Sequence, residues 1–232
     1  MCKQSATFCE NEGGRATGAE GFGPKLVAVS GNSSLTGEIH SPSLALAIRD
    51  HGEQVGRALR FAASAHQGQV RKVSGHSFIV HPAGVAHLIY THGGRTELIV
   101  AALLHDTVED AGVSLAAIEA TFGADVAGLV AGVTREERRA NWREQKERAL
   151  TKLASAREEC LVLKCADALD NFRSIRRDVR IVGEFVWQTL RSKDEVLWYY
   201  RALSELFSAH LTTNPGYRLW LDLAAEIDAG FE

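Results

Sequence analysis

Apolar positions along this chain recur at the three-to-four-residue spacing of buried helix faces, and no window alternates long enough to make a strand. From Pro42 the stretch PSLALAIRDHGEQVGRALRFAASAHQG sets Leu44, Ala47, Ile48, Val55, Leu59 and Ala62 on such a face, which predicts one or two amphipathic helices. The polar run QVRKVSGHS around Gly75 reads as a loop. A helix is expected to begin near His81-Pro82, because proline suits the first helical position, and to run through GVAHLIYTHGG. The next, about Thr96 to Asp110, contains seven consecutive apolar residues, Leu98 to Leu104, and being apolar all round it must be buried on every side. Ser114 caps a short helix, SLAAIEATFG, ended by Gly123, and ADVAGLVAGVT follows with small apolar residues. The segment REERRANWREQKERALTKLASA reads as one long charged helix or two. After it, CLVLKCADALDNFRSIRRD turns Leu161, Leu163, Cys165, Ala166 and Leu169 inward. The final third predicts two amphipathic helices split at Asn214-Pro215-Gly216. The expected fold is all-α, with residues 42–232 as one domain. Residues 1–41, rich in Gly, Ser, Asn, Thr and Glu, are expected to be a disordered N-terminal extension.

Composition narrows the possibilities. At 232 residues, 45% hydrophobic and 24% charged, the chain has the make-up of an ordinary globular protein. Its net charge of -3 gives no general attraction to nucleic acid, so phosphate recognition needs a local basic patch. No apolar run reaches the length of a membrane span, and the first residues lack the charged start and apolar core of a secretory signal. A cytoplasmic location is therefore expected, with the four cysteines reduced and not arranged as a structural zinc site.

The chemistry concentrates in LIVAALLHDTVEDAG. Its apolar run carries His105 and Asp106 inward, and Glu109 and Asp110 follow three and four residues after Asp106, so three carboxylates crowd one face. They lie just ahead of Gly112, a helix-ending residue, where the backbone dipole already disfavours negative charge. A cation resolves that conflict. Imidazole and carboxylate ligands suit a divalent metal, and His81 at a helix start and Asp167 in KCADALDN are further candidates from separate core helices. Taken singly, each residue has an ordinary reading: His81 as a capping histidine, Asp167 as a hydrogen-bonded core carboxylate, Glu109 and Asp110 as a solvated helix end. Taken together, their order and spacing favour a metal-dependent enzyme.

Four segments in order, AHQGQVRKVSGHSFIVHP, AALLHDTVED, FGADVAGLVAGVT and LKCADALDN, resemble the hydrolase domain of the RelA/SpoT alarmone enzymes, a branch of the HD phosphohydrolases. The resemblance covers about Arg60 to Ser174. It implies an HD-domain helical bundle holding one divalent ion, typically Mn2+, on His81, His105, Asp106 and Asp167. It further implies that Glu109 and Asp110 position or activate the attacking water. Arg71, Lys72 and Ser74 match the family's nucleotide-binding loop, and Asn171 and Ser174 its contacts to the nucleotide sugar. The implied reaction removes the 3′-pyrophosphate of guanosine tetra- or pentaphosphate, leaving GDP or GTP, and the short chain implies a small stand-alone form. Two departures stand out. Ala168 and Asp170 occupy positions where the family has Arg and His, neither of them an implied ligand, and the loop reads Ser-Gly-His-Ser-Phe instead of Ser-Gly-Glu-Pro-Tyr. Arg173, Arg176 and Arg177 read as a surface helix face in preference to a phosphate-binding rim. Two rival readings keep part of the picture. One is a hydrolase for another phosphorylated nucleotide, an adenosine alarmone or the 2′-phosphate of NADPH. The other is a non-catalytic module that counters an alarmone synthetase by contact.

Overall fold

A computed structural model describes residues 42–135 and 141–231, so the expected extension over residues 1–41 lies outside the described residues, as does part of the charged segment. The elements in chain order are α1 (Pro42–His51), α2 (Glu53–Ala65), α3 (Val80–Thr91), α4 (Thr96–Leu104), α5 (Thr107–Ala111), α6 (Leu115–Phe122) and α7 (Ala124–Val133). They continue with α8 (Trp142–Ala154), α9 (Glu158–Val182), a 3-10 turn at Gly183–Phe185, α10 (Val186–Thr189), α11 (Lys193–His210) and α12 (Gly216–Ala229). No strand occurs among the described residues beyond one isolated antiparallel bridge, Val70 to Ser77, which pinches the loop between α2 and α3. The all-α expectation holds. No helix among the described residues is long and apolar enough to cross a membrane.

The uniformly apolar run becomes the central post. Leu98 through Leu104 are at most 2% exposed, and α4 is enclosed by α2, α3, α7 and α9. Burying seven such side chains contributes on the order of 10 kcal/mol before chain entropy is set against it. The 25-residue α9 is the second post, packing against α3, α4, α7, α11 and α12. Its inward Leu161, Leu163, Cys165, Ala166 and Leu169 are all buried, and Cys160 and Cys165 are free thiols. Gly132 lets α7 approach closely, since a methyl group there would overlap the Cys160 sulfur.

Side-chain caps open α6, α8 and α11. The Ser114 hydroxyl accepts from the Ala117 amide to open α6, and Asn141 does the same for Glu144 at the start of α8. Two expectations need correction. The helix predicted from Thr96 to Asp110 is interrupted: α4 stops at Leu104, His105 and Asp106 form a turn, and α5 begins at Thr107. The cause is local competition for backbone carbonyls. Thr107 Oγ1 donates to the Leu104 carbonyl at 2.7 Å, and His105 Nδ1 lies 2.7 Å from the Ala102 carbonyl, taking acceptors that the next helical turn would use. The penultimate helix is likewise shorter than expected. Gly183, at φ 63°, ends α9, and a capping box between Ser192 and Glu195 starts α11 afresh, which leaves EFVWQT as a separate short piece.

Candidate active site

Three elements bring the expected ligands together. His81 is the second residue of α3, His105 and Asp106 fill the turn after α4, and Asp167 sits midway along α9. His81 Nε2 lies 3.1 Å from Asp167 Oδ1 and 3.5 Å from Asp106 Oδ2. His105 Nε2 lies 3.2 Å from Asp106 Oδ2 and 3.7 Å from Asp167 Oδ1. Ligand atoms of His81, His105 and Asp106 all fall within 4.8 Å of one another, and Asp167 joins them through its distances to both imidazoles. The other ring nitrogen of each histidine is already committed, His105 Nδ1 to the Ala102 carbonyl and His81 Nδ1 to Asp170 Oδ2 at 2.7 Å. With Nδ1 carrying the hydrogen, His105 Nε2 is a buried lone pair with no hydrogen-bond partner, facing carboxylate oxygens that also donate nothing. With both rings neutral, four electron-pair donors meet at one point. That donor set, two imidazoles and two carboxylates, fits a divalent cation.

The electrostatics agree. Burial works against charge on both imidazoles, yet the neighbouring carboxylates raise the pKa of both, that of His105 well above its ordinary value. Burial also opposes charge on the carboxylates, but His105 holds Asp106 down to about 2, and Lys164 with the two histidines holds Asp167 well below its usual range. The cluster therefore stabilises positive charge at its meeting point.

Around the ligands runs a set of polar links. Lys164 Nζ donates to Asp167 Oδ2 at 2.6 Å, and Asn171 Nδ2 donates to Asp167 Oδ1 at 2.6 Å. Arg71, on the loop before α3, donates to Asn171 Oδ1 at 3.0 Å. Glu109 accepts from the Arg135 amide at 2.7 Å and pairs with its guanidinium. Asp110 reaches the solvent edge; partial burial, then Asp106 and Glu109, push its pKa up. Its backbone carbonyl accepts from Gln69 Nε2 at 2.7 Å, which ties the loop to α5.

This cluster lines a cavity of about 630 Å³ together with Arg135, Lys146 and Lys164. A second cavity of about 900 Å³ shares Arg71, Lys146, Lys164 and Asn171 with the first and adds Lys72, Trp142 and Arg191. Together they form one groove of a size suited to a nucleotide. The Lys146 ammonium sits 4.3 Å from the Tyr199 ring centroid, and burial, reinforced by Lys164 and Arg135, pushes its pKa down to about 8.

The structure thus gathers His81, His105, Asp106, Asp167, Glu109, Asp110, Arg71, Lys72 and Asn171 at one groove. Ser74, half-buried in the loop, and Ser174, buried on α9, line neither cavity. Arg173 and Arg176 are half-buried, pair with Glu226 of α12 and line neither cavity. Sequence reasoning missed Lys164, Lys146, Arg135 and the grip of Asp170 on His81. The first and last were signalled, since Lys164 and Asp170 flank Asp167 at three-residue helical spacing. For Lys146 and Arg135 there was no signal in a segment where every face is charged.

A family model described as an HD domain matches residues 58–197. That is more than half of the chain, which belongs to the HD-domain family. Among its relatives is the guanosine-3′,5′-bis(diphosphate) 3′-pyrophosphohydrolase MESH1 of Mus musculus, 38% identical over 127 residues that make up 53% of this chain and 70% of that protein. A probable GTP pyrophosphokinase of Mycobacterium leprae is 41% identical over 125 residues, 53% of this chain but 16% of that protein. The chain spans less than a fifth of the length of the first curated relatives it matches. A solved structure described as a metazoan ortholog of SpoT that hydrolyzes ppGpp superposes with a TM-score of 0.63 at 25% identity, covering 76% of this chain and 94% of that one.

Proposed function

We propose that this chain is a divalent-metal-dependent hydrolase, using Mn2+, that removes the 3′-pyrophosphate from guanosine tetra- or pentaphosphate to give GDP or GTP and pyrophosphate. The observation that carries the reading is the meeting of two histidine Nε2 atoms with Asp106 and Asp167 in a groove also lined by Arg135, Lys146 and Lys164. The names of its relatives support the substrate class.

A divalent ion held by His81, His105, Asp106 and Asp167 supplies an acidified water and offsets charge that grows on phosphate oxygens. The remaining work belongs to side chains. Asp110, whose pKa is raised, accepts the proton of the attacking water, while Glu109, fixed by Arg135, orients that water. Attack at phosphorus breaks its bond to the ribose 3′ oxygen, the water oxygen ends on pyrophosphate, the 3′ oxygen takes a proton from solvent, and Asp110 returns to solvent the proton it accepted. Arg71 and Lys72 seat the nucleotide, guanidinium being suited both to stacking and to phosphate. Asn171, which lines both cavities, faces the sugar, while Ser174 and Ser74, implied by the resemblance, line neither cavity and are given no contact in this reading. Arg135 and Lys146 balance the departing pyrophosphate. An alarmone synthetase enters this reading as the source of the substrate, not as a bound partner.

The test is pyrophosphate release from guanosine tetraphosphate with and without Mn2+, alongside a panel of an adenosine alarmone and NADPH. Turnover should require the metal, and Asp106→Ala should lower it at least about 1,000-fold, the loss of several kcal/mol of charge stabilisation. Consumption of a different nucleotide alone would transfer the reading to that substrate. Folded, metal-loaded chain that consumes none of them would end it.

A further inference from the structure

We propose that Asp170 is a positioning residue that locks His81 in the tautomer able to bind metal. The proposal rests on the metal-centre reading above and assigns work to a residue outside the ligand set.

Asp167 and Asp170 are one helical turn apart on α9 and face opposite nitrogens of the same ring: Asp167 Oδ1 lies 3.1 Å from His81 Nε2, and Asp170 Oδ2 lies 2.7 Å from Nδ1. A neutral imidazole carries one hydrogen. A carboxylate at Nδ1 draws it there, leaves Nε2 as a lone pair aimed at Asp106 and Asp167, and makes that lone pair more basic. His105 reaches the same state differently, through the neutral carbonyl of Ala102. The two histidines thus present the same atom with unequal backing, one anionic and one neutral.

The site for Asp170 is built. His81 is buried, and the Asp170 side chain is 18% exposed. Gly84, three residues after His81 on the same face of α3, makes the room: a methyl group there would overlap Asp170 Oδ1. An alanine at position 84 would push the carboxylate off the ring, so glycine on one helix and aspartate on the other form one device.

The test measures Mn2+ affinity of the full chain by calorimetry, together with the ring-nitrogen NMR shifts of His81 at a pH above its titration. Asp170→Ala should weaken Mn2+ binding about 10- to 100-fold. Asp170→Asn, whose amide can either accept from or donate to Nδ1, should weaken it too, with His81 changing from one tautomer to a mixture. Gly84→Ala should reproduce the loss with Asp170 intact. A merely structural role would lower the melting temperature without moving the tautomer. Mn2+ affinities of both Asp170 variants within twofold of wild type would overturn the proposal, as would an unchanged tautomer in Asp170→Asn, the variant that keeps the side-chain shape. If the wild-type chain binds no divalent ion, the metal-centre reading itself has failed, a result separate from these.

Discussion

Lys146 carries the most testable charge in the groove. Burial, then Lys164 and Arg135, lower its pKa from the ordinary lysine value to about 8. The sign follows from which form the fold disfavours. The folded chain bears a cost for the charged ammonium below about 8, and that cost fades as pH rises toward the unfolded value. Affinity for an anion runs the opposite way, because only the charged form attracts phosphate. The KM for the nucleotide should therefore rise as pH climbs through about 8, and Lys146→Arg, which keeps its charge, should remove that rise. Superimposable KM profiles for the two proteins would count against any contact between Lys146 and substrate. Nothing in the sequence marked this lysine, because on a helix charged on every side a buried face cannot be told from a solvated one. His105 and Asp106 were legible for the opposite reason, as polar residues directly after a run that had to be interior.

At the level of elements, the apolar pattern located the helices more reliably than their ends. Ser114 and Gly123 bracket α6 as their side-chain and backbone preferences require. The break between α4 and α5 was hidden, because no glycine or proline marks it and the helical spacing of carboxylates runs straight across it. Two side chains taking backbone carbonyls made the break, and a periodicity argument does not weigh them. The packing of α7 on α9 gives a paired prediction. Gly132→Ala should destabilise the chain by about 1–3 kcal/mol through overlap with Cys160. Gly128→Ala, on the same helix with open space around it, should stabilise it by about 0.4–1 kcal/mol. Thermal melts of the two variants should move in opposite directions; a shared direction would contradict the close approach at Gly132.

For the molecule as a whole, cation binding and folding are one equilibrium. A divalent ion that binds only the folded chain should stabilise it by about 2.7 kcal/mol at a concentration of 100 Kd, and a chelator should reverse the gain in melting temperature. Both imidazoles have raised pKa values, so protons compete with the ion up to a higher pH than free histidine would allow. The gain should therefore be smaller at pH 6 than at pH 8; a gain that grows on acidification would show that these histidines are not ligands. The Asn171 amide adds one consequence. Its oxygen is taken by Arg71 and its nitrogen by Asp167, so it cannot swivel toward one without deserting the other. The amide is a latch shared by two doors: whatever steadies Asp167 at the ion also steadies the Arg71 guanidinium, which the proposed function assigns to the nucleotide. Reciprocity then requires each guest to change the other's affinity by the same factor.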